Sequence, residues 1–205
     1  MENFIHLHVH TQYSLLDGQA SIPKLVDKAI KDGMRGMAIT DHGNMMGVKE
    51  YFNYVSKKNK ALKEEGKEPF KPIFGCEMYV AERTLYDKDK DIDNRRYHLI
   101  VLAKNETGYH NLVKLVSKSW VEGFYSRPRT DHHELEKYHE GLIICSACIA
   151  GEVPRRILNG DIKGAEETIL WYKNIFGEDY YLEIQRHEVK DSTQLANRET
   201  YGGKT

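Results

Sequence analysis

Apolar residues along the chain follow two alternating periods. Short β-branched runs predict six strands, at residues 4–9, 36–40, 73–80, 97–103, 141–146 and 180–185. Apolar residues at helical spacing predict helices near 21–32, 44–63, 112–119, 152–158 and 161–176. This order is typical of an α/β fold with a mostly parallel sheet. We expect a β/α barrel, with an open doubly wound sheet as the alternative.

Composition favours one folded domain, which we place at residues 1–201. The chain has 205 residues, 40% hydrophobic and 30% charged, with a net charge of −1. No apolar run approaches the roughly 20 residues that span a bilayer, and the near-neutral charge argues against a dedicated nucleic-acid-binding protein. With no secretion signal and only three cysteines, we expect a cytoplasmic location. Residues 202–205 are expected to be a disordered or cloning-derived tail.

Histidines and acidic residues cluster where predicted strands end. Alternation along the first strand puts His6, His8 and His10 on one face, Asp17 lies in the following loop, and His42 follows the second strand. Because active-site residues of β/α folds gather at the carboxyl ends of the strands, we expect these side chains to meet. Imidazole and carboxylate are ligands of divalent metals, so the pattern predicts a metal site. Solvated histidines at a polar strand end are the alternative.

Three further candidates lie on later strands. Glu77 interrupts an apolar strand, where an unpaired carboxylate costs several kcal/mol, so we expect it to bind a cation unless it faces solvent on an edge strand. His98 begins its strand, and its position alone favours a structural role. Cys148, at a strand end, is a candidate thiolate ligand, whereas Cys145 is expected in the core. His187 follows the sixth strand and is either at the rim or solvated.

One basic loop is a candidate phosphate-binding element. Arg127 and Arg129 follow an aromatic pair in the stretch Gly123-Phe-Tyr-Ser-Arg-Pro-Arg. Guanidinium groups bind phosphate oxygens in a bidentate manner, so the loop suits a phosphate group or a nucleic-acid backbone. An exposed basic loop without a ligand is the alternative.

Several motifs resemble those of the polymerase-and-histidinol-phosphatase (PHP) family. They are Phe4-Ile-His-Leu-His-Val-His-Thr, Tyr13-Ser-Leu-Leu-Asp-Gly, Ile39-Thr-Asp-His-Gly-Asn, Pro72-Ile-Phe-Gly-Cys-Glu and Gly141-Leu-Ile-Ile-Cys-Ser-Ala-Cys. The stretches at 97–105, 107–112 and 123–131 are more narrowly similar to the PHP domains of bacterial replicative DNA polymerase alpha subunits. Together the motifs extend over residues 3–201.

The resemblance implies a distorted (β/α)7 barrel of the TIM type, with up to three divalent metal ions (Zn, Mn, Mg or Fe) at its carboxyl rim. Carried over by position, its metal ligands would be His8, His10, Asp17, His42, Glu77, His98 and Cys148. Glu77 would bridge a metal on the first-strand histidines to a second metal on His98 and Cys148. Asp17 and His42 would hold the third. The family completes this set with an Asp-x-His pair on a last strand, before which this sequence is truncated.

The resemblance also implies a function in DNA replication. The chain would be the N-terminal domain of a DNA-directed DNA polymerase, with DNA and the other polymerase domains and subunits as partners and no membrane. The metal site would hydrolyse phosphoesters, in a possible 3′→5′ proofreading exonuclease, with catalytic roles for Asp17, Glu77, Arg127 and Arg129. The alternatives are a non-catalytic, metal-stabilised scaffold that docks other polymerase domains or a proofreading subunit, and a phosphatase of the histidinol-phosphate type.

Overall fold

The apolar runs form a six-stranded sheet with helices packed against it. A computed structural model describes residues 4–186. Its strands are β1 Gly36–Ile39, β2 Lys71–Ala81, β3 Arg96–Ala103, β4 Arg129–Thr130, β5 Leu142–Cys145 and β6 Tyr180–Tyr181. Its α-helices are α1 Ile22–Lys31, α2 Val48–Glu64, α3 Glu106–Val121, α4 His132–Lys137, α5 Glu152–Leu158 and α6 Ile162–Phe176. None of the helices described between residues 4 and 186 has the length and apolarity to cross a membrane.

The long strand β2 organises the sheet, whose order is β1-β2-β3-β5-β6 with β4 also paired to β2. β1 and β4 pair in parallel with successive parts of β2. β3 is antiparallel to both β2 and β5, and β5 is parallel to β6. The predicted α/β class is therefore confirmed, but the sheet is not a uniform parallel repeat. Because β3 is antiparallel to β2, its first residues lie at the rim where β2 ends.

The predicted first strand is reduced to one bridge, between His6 and Met37. The segment at residues 4–9 still runs beside β1, because the Thr40 amide donates to the Val9 carbonyl at 2.8 Å. The Val9 amide, however, donates to the Thr40 side-chain Oγ at 2.8 Å. A side-chain acceptor thus replaces a backbone acceptor there, and the regular pairing of a strand does not develop.

Alternation along β2 separates the core from the functional face. Cys76, Met78 and Val80 belong to a large apolar cluster with residues of β3, β5, α3, α4 and α6. A second cluster joins α1 and α2 to β1. Glu77 and Tyr79 necessarily project from the other face of β2, because successive side chains of a strand point to opposite sides.

The start of α2 and the presence of α4 differ from the prediction for local reasons. α2 begins at Val48 rather than at residue 44, because the Asn44 side chain forms a turn by accepting the Met46 amide at 3.0 Å. The short helix α4 was not predicted. The Asp131 carboxylate caps it by accepting the Glu134 amide at 2.9 Å, and the spacing of these two acidic residues is that of a capping box.

His132 is part of a network over α5 and α6. Its ring stacks on Trp171 at 4.1 Å, and its Nε2 lies 2.9 Å from a carboxylate oxygen of Glu152. Arg156 donates to the other oxygen at 2.9 Å. Burial alone raises the pKa of Glu152, which is only 5% exposed, but His132 and Arg156 outweigh it and the pKa is lowered.

We expect Glu152→Gln to lower the free energy of unfolding by about 1–3 kcal/mol near neutral pH, because His132 and Arg156 lose their charged acceptor. A depressed folded-state pKa gives stability that is present above the ordinary carboxyl value of 4.5 and is lost as pH falls through the lower folded value. The difference between wild type and variant should therefore shrink between about pH 6 and about pH 3.

Urea unfolding across this range measures the effect. Glu167→Gln is the matched control, because Glu167 lies on α6 with an exposed side chain and a distant Lys163 partner at 3.6 Å. A Glu152→Gln effect that does not change with pH would contradict the assigned pKa shift.

Candidate metal centre

The site is built around Glu77, a carboxylate in the middle of β2 that is 1% exposed. Four imidazoles surround it. Nδ1 of His98 and Nε2 of His8 lie 2.8 Å and 3.3 Å from one carboxylate oxygen. Nδ1 of His42 and Nε2 of His10 lie 2.8 Å and 3.0 Å from the other oxygen. The structure thus brings together the candidates that the sequence places on four separate segments.

Strand pairing places two of these histidines, His42 and His98, on opposite sides of Glu77. The chain beyond β1 continues along β2. His42 forms an isolated parallel β-bridge with Glu77, and the Gly43 amide donates to the Glu77 carbonyl at 2.8 Å. On the other side, His98 pairs with Tyr79, one diagonal step from Glu77. The position of His98 at its strand start suggested a structural role, but its imidazole lies on Glu77, where the family resemblance places it. In an antiparallel strand, the start lies at the same rim as the neighbour's end.

Asp17 joins the cluster at its open side. Its carboxylate lies 3.0 Å from Nε2 of His42, and its side chain is 58% exposed. A tight turn holds it there, because a Cβ atom on Gly18 would lie 1.9 Å from the Thr11 carbonyl oxygen. Only glycine permits this close approach. Potential ligand atoms of Asp17, His42 and His10 lie within 4.8 Å of one another.

Cys148 completes the group on the β3 side. Its Sγ lies 3.7 Å from Nδ1 of His98 and 3.9 Å from a carboxylate oxygen of Glu77. Burial raises the pKa of this thiol, but the hydrogen bond with His98 outweighs burial and the pKa is lowered. Cys145 instead packs in an apolar cluster, where burial raises its pKa to about 12. The two cysteines therefore differ in the way the sequence indicates, one facing the site and one in the core.

Two buried atoms of the cluster lack a hydrogen-bond partner among the residues described. They are Nδ1 of His42 and Oε2 of Glu77, which lie 2.8 Å apart but are not aligned for a hydrogen bond. Buried polar atoms are rarely left unpaired unless an ion or water satisfies them. Imidazole nitrogen, carboxylate oxygen and thiolate sulfur are a donor set of divalent transition metals. The residues present therefore fit a divalent metal.

The charges of the cluster residues also suit a divalent metal. Burial raises the pKa of Glu77, yet the surrounding histidines hold it well below its usual range. Burial lowers the pKa of His8, but Glu183 and Glu77 outweigh it and raise that pKa to about 10. The pKa of His98 rises to about 9, because Cys148 and Glu77 outweigh its burial. The carboxylates and the imidazoles thus stabilise one another's charged forms, and a divalent ion would take the place of the histidine protons.

A second layer of hydrogen bonds orients His10. Buried Asp41 accepts the Thr11 amide at 2.6 Å, the Thr11 hydroxyl at 2.8 Å and the Ser14 hydroxyl at 2.8 Å. The Ser14 hydroxyl uses its only hydrogen in the hydrogen bond to Asp41. Its Oγ therefore acts as an acceptor, for the His42 amide at 3.1 Å and for Nδ1–H of His10 at 2.8 Å. The Nε2 atom of His10 is therefore the nitrogen left to face Glu77.

The two arginines of the basic loop have different environments. Arg129 is 0% exposed, and its guanidinium donates to the backbone carbonyls of Gly123, Asp93, Leu85 and Asp87. The expected phosphate contact of Arg129 is therefore wrong, because its donors already hold these loops together. Arg127 is exposed. Burial raises the pKa of the Tyr79 phenol, and the nearby positive charge of Arg127 opposes that rise.

Tyr79 and Arg96 are rim residues that the sequence interpretation missed. The Tyr79 ring lies 5.8 Å from the ring of His42 and 5.2 Å from that of His98. The guanidinium carbon of Arg96 lies 5.9 Å from the Tyr79 ring. The available signal was the two-residue period of a strand, because Tyr79 follows Glu77 by two positions and Arg96 precedes His98 by two.

Other candidates lie away from the cluster or outside the description. His6 is exposed and its ring contacts Phe4 at 4.8 Å. His187 and the tail at 202–205 lie outside the described residues, and the domain boundary at residue 201 stays a prediction.

This α/β fold with a histidine and carboxylate cluster has a counterpart among known families. Residues 6–187 match the PHP domain family. The chain belongs to that family, which confirms the membership predicted from its motifs.

Its curated relatives are more specific. The chain is 51% identical over 95% of its length to DNA polymerase III subunit alpha of Borreliella burgdorferi, 44% over 95% to that of Treponema pallidum, and 40% over 96% to that of Aquifex aeolicus. It spans 16% of the length of each of these relatives. Among solved structures, it is similar to an amidohydrolase from Chromobacterium violaceum, with 12% identity and a TM-score of 0.48 over 97% of this chain and 84% of that one.

We expect Arg129→Lys to lower the free energy of unfolding by about 2–4 kcal/mol, because a lysine cannot reach the buried carbonyls that Arg129 satisfies. Arg127→Lys makes the same chemical change two residues away at an exposed position and should stay within about 0.5 kcal/mol of wild type. Urea unfolding compares the two. Equal effects would contradict a structural role specific to Arg129.

Proposed function

We propose that this chain is the PHP domain of a DNA polymerase III alpha subunit and that its cluster binds divalent metals for phosphoester hydrolysis. The observation that carries the proposal is the buried Glu77 carboxylate among four imidazoles, with unpaired atoms on Glu77 and His42. The names of the relatives support the polymerase assignment. The substrate proposed is the 3′ end of a DNA strand, in a proofreading reaction.

The ligand groups overlap, which supports more than one metal position. Potential ligand atoms converge in three sets: His8, His10 and Glu77; His10, Asp17 and His42; and His42, Glu77 and His98. Glu77, His10 and His42 each belong to two of these sets, and Cys148 would add a thiolate to the set of His98. Nitrogen and sulfur donors favour Zn or Fe over Mg.

A bound divalent metal would polarise the phosphate and lower the pKa of a water molecule. The residues of the chain supply the remaining functions. The exposed Asp17 carboxylate, at the open side of the cluster, accepts a proton from the attacking water. Arg127 and Arg96 flank Tyr79 at the rim and neutralise phosphate oxygens. Tyr79 shields the histidines below it from solvent.

A metal-stabilised scaffold without catalysis is the second candidate. It is favoured by the number of segments that meet at the cluster, because Glu77 contacts the N-terminal segment, the chain beyond β1, and β3. An ion held there would stabilise the arrangement of these segments even if no substrate were cleaved.

The first experiment measures metal binding. After removal of metals with a chelator, the chain is titrated with Zn²⁺ or Mn²⁺, and metal content and melting temperature are recorded. We expect at least one ion per chain and a stabilisation of about 2.7 kcal/mol at a concentration 100 times the Kd. Glu77→Gln should bind less metal, because a neutral amide is a poor ligand. Fewer than one ion per wild-type chain would refute the metal centre.

The second experiment measures cleavage of 3′-labelled single-stranded DNA by the metal-loaded chain. Arg127→Ala should lower kcat/KM about 10- to 100-fold with unchanged metal content, because a phosphate contact is lost. Arg35→Ala removes the same charge just before β1, at the end of that strand opposite to His42, and should leave the rate unchanged. Metal-dependent stabilisation without cleavage of DNA or of histidinol phosphate would favour the scaffold.

A further inference from the structure

The imidazole of His8 has two different carboxylate neighbours. Its Nε2 lies 3.3 Å from Glu77 and 3.3 Å from Nε2 of His10, inside the cluster. Its Nδ1 lies 2.8 Å from Oε1 of Glu183, outside the cluster. Glu183 is not among the predicted ligands, and its side chain is 17% exposed.

Backbone and side-chain bonds hold Glu183 in place. Its amide donates to the Ser146 hydroxyl at 2.9 Å, and the Ser146 amide donates to the Tyr181 carbonyl at 3.0 Å. Gln185 donates to the carboxylate oxygen that faces His8, at 2.8 Å. The carboxylate is therefore a fixed acceptor, anchored to the ends of β5 and β6.

The chemistry of this contact assigns the protons of His8. An ionised carboxylate only accepts hydrogen bonds, so Nδ1 of His8 is the donor to Glu183. Nε2 faces Glu77 and His10. In the metal-free imidazolium this nitrogen also carries a proton, and binding of a divalent ion would displace that proton and leave the Nε2 lone pair for the ion. Carboxylates behind histidine ligands commonly act in this way.

The contact also joins the two ends of the sheet. His8 lies on the segment beside β1, at one end, and Glu183 follows β6, at the other. The residues are 175 positions apart in the sequence. Through this pair, an ion bound at His8 would be coupled to the closure of the sheet.

We propose that Glu183 is a positioning residue, which fixes His8 with its proton on Nδ1 and its Nε2 directed to the metal, and which links metal binding to closure between the N-terminal segment and β6. The proposal rests on the metal centre proposed above. It assigns Glu183 no contact with the metal or the substrate.

The binding test compares Glu183→Ala, Glu183→Gln and the control Glu178→Ala. Zn²⁺ dissociation constants are measured by competition with a chelating indicator. Glu183→Ala should weaken binding about 10- to 100-fold, as expected for loss of a supporting carboxylate. Glu183→Gln keeps an oxygen acceptor and should recover part of this loss. Glu178→Ala removes the same charge from an exposed pair with Lys173 and should change the constant less than about twofold.

A second readout does not depend on metal. ¹H–¹⁵N spectra of the metal-free chain report the Nδ1–H of His8, with its signal assigned by its loss in His8→Gln. A hydrogen bond to residue 183 slows exchange of this proton with water, so we expect the signal in wild type and in Glu183→Gln. In Glu183→Ala, exchange should be fast and the signal should be lost. Far-UV circular dichroism checks that each variant is folded, and Glu183→Gln serves if the alanine variant is not.

The outcomes separate the two proposals. If wild type binds no metal but its Nδ1–H signal is lost in Glu183→Ala, the positioning role of Glu183 is supported and the metal centre is refuted. If wild type binds metal, and the Glu183 variants bind it equally well with the Nδ1–H signal unchanged, the positioning role is overturned while the metal centre stands.

Discussion

A buried carboxylate in the middle of a sheet must be neutralised, and the structure depends on how this is done for Glu77. The residue is 1% exposed, and burying an unpaired carboxylate would cost several kcal/mol. Four imidazoles from three segments lie within 3.3 Å of its oxygens. Their positions require the segment beside β1, the turn after β1 and the start of β3 to meet at one point. The same arrangement leaves a pocket of nitrogen, oxygen and sulfur donors that suits divalent metals.

The topology explains how the donors converge. In a uniform parallel sheet, only strand ends would reach the rim, and His98 would lie at the opposite edge. Because β3 is antiparallel to both neighbours, its first residues lie beside the end of β2. Alternation along β2 and β3 then places Glu77, Tyr79 and His98 on the face away from the helices. Reversal of β3 thus adds a candidate ligand, His98, and an arginine, Arg96, to the site.

Residues outside the ligand set have separate tasks. Ser14, held by Asp41, leaves Nε2 of His10 to face Glu77, and we infer the same effect of Glu183 on His8. Arg129 holds loops together through backbone carbonyls, whereas Arg127 stays exposed at the rim. Two arginines separated by one residue therefore differ in role, because the intervening Pro128 is also buried and the chain turns from solvent into the core.

The sequence by itself determined the α/β class, most of the helices and strands, and the family, because apolar periodicity and motif spacing are local properties. It also indicated Glu77, since a carboxylate in an apolar strand stands out without a structure. Only the tertiary structure decided that β3 is antiparallel, that Arg129 is buried and that Glu183 contacts His8. It also gave the physical reason why His98, a candidate ligand through the family resemblance alone, reaches the cluster. These features arise from contacts between residues far apart in the chain. Strand direction and burial depend on such contacts, and no local pattern encodes them.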